Sequence, residues 1–345
     1  MKVPFVDFPA SYRLIKPEID KAIFGCLERG DFILRDDVSE FEKRLADFLG
    51  VKYAVGVANG TDALTLTLRA YGIDNTTKVA TSAYTFWATV EAIKNAGGQS
   101  HLVDITDDLI MDFSQIPLDA KVIIPVWIGG LARPEKIKEI AQRSNAIIIE
   151  DACQAIGAKD VGKYSNAACY SFYPAKILGC YGDGGAVATN DWRLAERVRL
   201  LRDHFRLSKT QIVGWGYNSR LDNIQAAVLN VKMNYLPEWI SRRQEIAKLY
   251  DKGLEKIDKI RIPQSEVYQE YNLRVLENRD KLYDFLKENE IETLKGEYQF
   301  PIPQPRNAVM ANIQILRLPV WPTLTNEQIL FVCEKIKKFY VRKNI

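Results

Sequence analysis

The chain has 345 residues, enough for a substantial buried core and for about two structural units, one of them large. Its 47% hydrophobic and 26% charged residues describe an ordinary folded protein, and a net charge of +3 spread over 47 basic and 44 acidic residues leaves no electrostatic footprint for nucleic acid. No stretch approaches the ~18 apolar residues that span a bilayer, residues 1–9 lack a basic region followed by an apolar run, and the five scattered cysteines form no CxxC pair, so a cytoplasmic protein without membrane span, disulfide framework or zinc site is expected.

Residues 17–30 place Ile19, Ala22, Ile23, Cys26 and Leu27 on one helical stripe, with Gly30 as a stop. Residues 39–49 predict a second helix with Phe41, Leu45, Phe48 and Leu49 inward. From residue 53 onward short apolar runs alternate with helical patterns. The runs cover 53–58, 78–82, 121–126, 146–150, 168–173 and 185–189, and the helices 61–70, 86–96 and 134–142. Strands that are apolar throughout and separated by amphipathic helices predict an α/β class with a largely parallel sheet covered on both faces. Ligands of such sheets bind at the carboxyl ends of the strands. A long helix over 236–256 then leads into segments 261–276, 280–290 and 325–340, which suggest a smaller α/β unit. The expected division is a large unit over 1–232 and a small one over 233–345.

Three strand ends carry polar motifs. Asn59-Gly60-Thr61-Asp62 lies between a strand and a helix, where free amides, the helix dipole and a hydroxyl suit either an ordinary cap or one phosphate. It lacks the GxGxxG of a dinucleotide site, which argues against a nicotinamide-dependent oxidoreductase. Glu150-Asp151-Ala152-Cys153-Gln154 follows a buried run. A carboxylate there needs a cationic or hydrogen-bonding partner, which a helix cap or the protonated ring nitrogen of pyridoxal phosphate could equally provide. Ser171-Phe172-Tyr173-Pro174-Ala175-Lys176 precedes a glycine-rich turn; Lys176 is either a solvated lysine or an amine held near the sheet edge as nucleophile and base.

Taken together, in order and at their spacing, these motifs resemble the DegT/DnrJ/StrS family of sugar aminotransferases. The resemblance also rests on Val3-Pro4-Phe5-Val6-Asp7, Thr85-Phe86 and Gly216-Tyr217-Asn218-Ser219-Arg220-Leu221-Asp222. It implies the aspartate-aminotransferase architecture, fold type I of the pyridoxal-phosphate enzymes, with pyridoxal 5′-phosphate as cofactor and its pyridoxamine form as intermediate. By this resemblance Lys176 is the Schiff-base lysine and proton shuttle, Asp151 holds the ring nitrogen's proton, Gln154 lies near the ring oxygen and Phe86 stacks on the ring. Gly60, Thr61, Asp62 and Ser171 line the phosphate site, and Tyr173, Tyr217 and Arg220 face substrate. Asn218 belongs to a segment that reaches the neighbouring subunit's cofactor, which implies a homodimer with shared active sites. The implied donor is glutamate and the acceptor a nucleotide-diphospho keto-deoxysugar, aminated at carbon 3 in preference to carbon 4. Dehydratases of the family carry histidine in place of the lysine, so Lys176 points to transamination.

The chain departs from the family pattern around the acceptor. Ala175 and Ile177 flank the lysine where Gly and Asn are usual, Arg35 stands where Gly is usual, Trp127 and Trp321 stand where histidine is common, and residues 296–301 lack the usual His-Tyr-Pro. A protein that keeps the fold and the cofactor without turnover is the alternative from another class.

Overall fold

The apolar runs become strands because both faces of the sheet are covered. β1 (Tyr53–Val57), β2 (Lys78–Ser82), β3 (Gln99–Val103), β4 (Val122–Ile124), β5 (Ile147–Asp151), β6 (Ala167–Ser171) and β7 (Gly185–Thr189) form one sheet in the spatial order β1-β7-β6-β5-β4-β2-β3. The computed structural model describes residues 1–341, so the last four residues of the expected small unit lie outside the described residues. β7 runs antiparallel to β1 and β6, and the other neighbours are parallel. The predicted mostly parallel sheet is therefore present. β3 lacked an apolar signal because Gln99, Ser100 and His101 are exposed at the sheet's edge.

The Gly60–Ala70 helix is buried along nearly its whole length and packs against β6, β7 and the Trp87–Ala96 and Trp192–Arg202 helices. Its alanines and leucines pack inward, and Thr65 and Thr67 can be buried because their hydroxyls donate back to the carbonyls of Thr61 and Ala63. The Lys16–Arg29 helix ends at Gly30 in a left-handed conformation (φ 68°), as the stop predicted, and the Asp36–Leu49 helix buries Val38, Phe41, Leu45 and Ala46. Phe48, predicted inward, is exposed, as is Leu27 of the first helix's apolar stripe; single apolar side chains at a surface are common.

A second, antiparallel sheet joins β8 (Ile260–Arg261), β9 (Tyr271–Val275), β10 (Leu294–Lys295) and β11 (Ile315–Leu318) in the order β10-β11-β9-β8. Its core includes Leu273, Leu316, Ile329 and Val332, and Val3 packs there too, paired with Ile291. The Leu236–Leu254 helix ties the two cores together, with Leu236 in the first and Ile246, Tyr250 and Leu254 in the second. The seam beside this helix, at the carboxyl ends of β5 and β6, holds a cavity of about 950 Å³.

Candidate active site

Side chains alternate along a strand, so Glu150 and Asp151 point to opposite faces at the end of β5. Glu150 turns into the core and accepts from Trp127 Nε1 (2.7 Å), Ser165 Oγ (2.6 Å) and the Gly162 amide (2.8 Å). Burial pushes its pKa up, while those donors act to hold it down. Trp127 thereby has a structural partner while also lining the cavity.

Asp151 faces the cavity and is only 6% exposed. It accepts from Thr89 Oγ1 at 2.7 Å and from the Cys153 amide at 3.2 Å, and Thr89 shares a 2.7 Å hydrogen bond with Thr85. Among the described residues no cation forms a salt bridge with it. A buried carboxylate held by neutral donors alone keeps an unmet electrostatic demand.

Lys176 lies in the turn after β6, closed by hydrogen bonds from the Cys180 amide to Phe172 O and from the Lys176 amide to Tyr173 O, both 2.8 Å. Gly179 is obligatory here, because a Cβ would stand 2.3 Å from Pro174 O. The Lys176 side chain is half-buried in the cavity wall, and among the described residues its amine donates no hydrogen bond. Asp151 and Lys176 converge on Cys153: burial drives that thiol's pKa well up, Asp151 raises it further and Lys176 opposes the rise.

Opposite this pair, the first turn of the Gly60–Ala70 helix abuts β6. A Cβ on Gly60 would meet Ser171 Cβ at 2.8 Å and Cys153 Sγ at 3.0 Å. Asn59 caps the Asp62 amide, and the amides of Gly60 and Thr61 are helix-terminal donors without an acceptor among the described residues. The Asp62 carboxylate accepts from Ser219 Oγ at 2.7 Å, which ties the turn to the 216–222 segment. Gln154 accepts the Gly129 amide (2.6 Å) and donates to Glu270 (3.4 Å), Phe86 caps the Trp87–Ala96 helix with its ring 63% exposed, and Tyr173 is exposed at the mouth.

The cavity thus gathers Gly60, Thr61, Asp62, Phe86, Asp151 and Gln154 with Ser171, Tyr173 and Lys176. Tyr217, Asn218 and Arg220 do not line it. Asn218 pairs with Asp203, and Arg220 Nη1 binds Asp203 at 2.9 Å. Sequence reasoning missed several wall residues. Thr89 lies in the first turn of the Trp87–Ala96 helix, four residues after Thr85, and the only local signal is that spacing. Gln269 and Glu270 lie just before β9, Arg317 lies on β11, and none of them carries a local motif. The buried Glu270–Arg317 pair (3.1 Å) lies under Tyr298; burial would lower the arginine's pKa, but Glu270, Tyr298 and Tyr84 outweigh it and leave it raised.

The DegT/DnrJ/EryC1/StrS aminotransferase family model matches residues 13–337. The chain belongs to this family. Curated relatives of this DegT/DnrJ/EryC1/StrS member include a pleiotropic regulatory protein of Geobacillus stearothermophilus, 37% identical over 99% of both chains. A UDP-2-acetamido-2-deoxy-3-oxo-D-glucuronate aminotransferase of Pseudomonas aeruginosa is 35% identical over 96% of this chain and 98% of its own. Among solved structures, Streptomyces venezuelae DesV in complex with a ketimine intermediate superposes with a TM-score of 0.92 at 33% identity, covering 98% of each chain. The ntda protein of Bacillus subtilis with bound cofactor pmp superposes with a TM-score of 0.89 at 29% identity, over 97% of this chain and 85% of its own. The fold is thus that of the sugar aminotransferases, and the family assignment removes the oxidoreductase alternative.

The DegT/DnrJ/EryC1/StrS cofactor, a pyridoxal phosphate, suits the residues present. The Lys176 amine suits an aldehyde, the amides of Gly60 and Thr61 with Ser171 suit a phosphate, and the Asp151 carboxylate suits a ring cation. Ligand cavities commonly run from about 300 to about 1,000 Å³, and this one lies near the upper end.

Proposed function

We propose that the protein is a pyridoxal-phosphate-dependent aminotransferase that moves an amino group from glutamate to a nucleotide-linked keto-deoxysugar, with carbon 3 as the site of amination, in the synthesis of amino sugars for a surface polysaccharide or glycoconjugate. The observation that carries the cofactor assignment is the buried, cation-free Asp151 in the same cavity as the unpaired Lys176 amine. The 3-oxo substrate in the name of the Pseudomonas relative supports carbon 3.

When bound, pyridoxal phosphate supplies an aldehyde to carry the amino group and a ring that withdraws electrons from the neighbouring carbon. Lys176 Nζ would hold the cofactor covalently through its aldehyde and, once free, would serve as the amine that takes and returns a proton in the cavity. The Asp151 carboxylate would keep a ring nitrogen protonated, Gln154 and Phe86 would flank the ring, and Gly60, Thr61 and Ser171 would hold the phosphate, with Asp62 tying their turn to Ser219. Tyr173 faces the sugar. Tyr217, Asn218 and Arg220, absent from their own chain's cavity, complete the partner subunit's site in a homodimer. The working division into units is 1–232 and 233–345.

Adding glutamate alone to the loaded protein should convert its absorption to that of the aminated cofactor. An unchanged spectrum would favour a regulatory protein that binds without turnover, a role suggested by the name of the Geobacillus relative. A screen of nucleotide-linked 3-keto and 4-keto sugars, with products read by mass, then tests the acceptor; amination of 4-keto sugars only would contradict carbon 3.

A further inference from the structure

Lys176 is gripped through both of its backbone neighbours by one side chain from the second half of the molecule. The Ile177 amide donates to Gln269 Oε1 at 2.8 Å, and Gln269 Nε2 donates to the Ala175 carbonyl at 3.0 Å. A carboxamide can offer an acceptor and a donor side by side, and here both close on the peptide groups flanking Lys176. Ala175 and Ile177 have no polar side chains, so they cannot fix this turn themselves.

Gln269 is itself firmly seated. Its amide donates to Gly129 O at 3.1 Å, and its carbonyl accepts from Arg243 Nη1 at 3.3 Å. Arg243 is 5% exposed, reaches Tyr268 O (3.0 Å) and Val320 O (2.5 Å), and forms no carboxylate pair among the described residues. Tyr268, just before Gln269, has φ 49°, a left-handed conformation that an aromatic residue adopts only when its surroundings impose it. The turn around Lys176 is also closed without Gln269, by Cys180 N to Phe172 O and by Lys232 Nζ to Gly179 O at 2.5 Å. The glutamine therefore adds restraint at the lysine itself and is not needed to form the loop.

We propose that Gln269 is a positioning residue that aims the Lys176 amine, with Arg243 holding Gln269 in place. The proposal rests on the assignment of Lys176 as the reacting amine. A lysine amine ranges widely on its four-carbon stem, so fixing the peptide planes on both sides of its Cα narrows the space it samples. The segment leading into β9 thereby acts on the reactive turn without touching the reacting atoms.

The test uses cofactor-free, full-length protein and two probes. Pyridoxal phosphate reports the rate of covalent bond formation through its absorption. Pyridoxine phosphate, which has the ring and phosphate but no aldehyde, reports non-covalent affinity. Gln269→Ala removes both hydrogen bonds, and the isosteric Gln269→Glu keeps the acceptor for Ile177 while turning a carboxylate oxygen toward the Ala175 carbonyl. Both variants should form the covalent bond roughly tenfold to a hundredfold more slowly, the scale of a small misplacement of a reacting group. Their affinity for pyridoxine phosphate should match that of the parent protein. A parent-like covalent rate would overturn the proposal, and so would equal losses with both probes, which indicate a structural role. If Gln269→Ala does not fold, Gln269→Glu decides alone. Lys176→Ala serves as control: covalent bonding in that variant would mean that the assignment of Lys176, rather than the role of Gln269, has failed.

Discussion

At Asp151, burial leaves a carboxylate with neutral donors from Thr89 and Cys153 and, among the described residues, no cation, while the Lys176 amine has no hydrogen-bond partner among them. In the proposed function, each deficit would be met by a different part of the same cofactor. Asp151→Asn should therefore retain the cofactor yet slow proton transfer by roughly 10²-fold or more, because an amide does not hold a proton on the ring nitrogen; single-turnover kinetics with glutamate would show it, and a near-parent rate would contradict the assignment. Both residues were legible in the sequence, since each follows an apolar run at a strand end. Thr89 and Gln269 were not recognised. Their function arises only when a helix start and a residue before β9 are brought to those strand ends, and a glutamine 93 positions beyond Lys176 has no local pattern to distinguish it.

Among the elements, the Gly60–Ala70 helix works by close approach to β6. Gly60→Ala would put a methyl 2.8 Å from Ser171 Cβ and force helix and strand apart. Overpacking of this kind costs about 1–3 kcal/mol, so the dissociation constant for pyridoxal phosphate should rise roughly tenfold or more, as measured by titration; unaltered affinity would contradict the phosphate site. The Asn223–Met233 helix places Lys232 beneath the glycine-rich turn, with its amine 4.1 Å from the Tyr181 ring centre. Burial pushes its pKa down from an ordinary 10.5 to about 8. Between these values the unfolded chain binds more protons than the folded one, so this group's contribution to stability is present above 10.5 and is lost as pH falls through about 8. Denaturant melts should show the parent gaining on Lys232→Met by up to about 3 kcal/mol from pH 8 to pH 10.5, and a constant difference would refute the shift. The central strands were readable because they are apolar on both faces. β3 was not, because its edge position lets Gln99, Ser100 and His101 face outward.

For the molecule as a whole, the alternation of strands and helices announced the α/β class, but the convergence of two sheets on one cavity had no signature in the sequence. The segment carrying Tyr217, Asn218 and Arg220 lies outside its own chain's cavity, and Trp215 beside it is almost fully exposed. Shared sites predict complementation. Lys176→Ala and Asn218→Ala should each be nearly inactive, and an equal mixture allowed to exchange subunits should recover about a quarter of the parent activity, since half the dimers carry one intact site. No recovery despite demonstrated exchange would argue against sharing. The most direct test of the central claim is to load the protein with pyridoxal phosphate, reduce it with borohydride, digest it and locate the adduct by mass spectrometry. The account predicts a phosphopyridoxyl group on the peptide containing Lys176; an adduct confined to another lysine, or none at all, would contradict it.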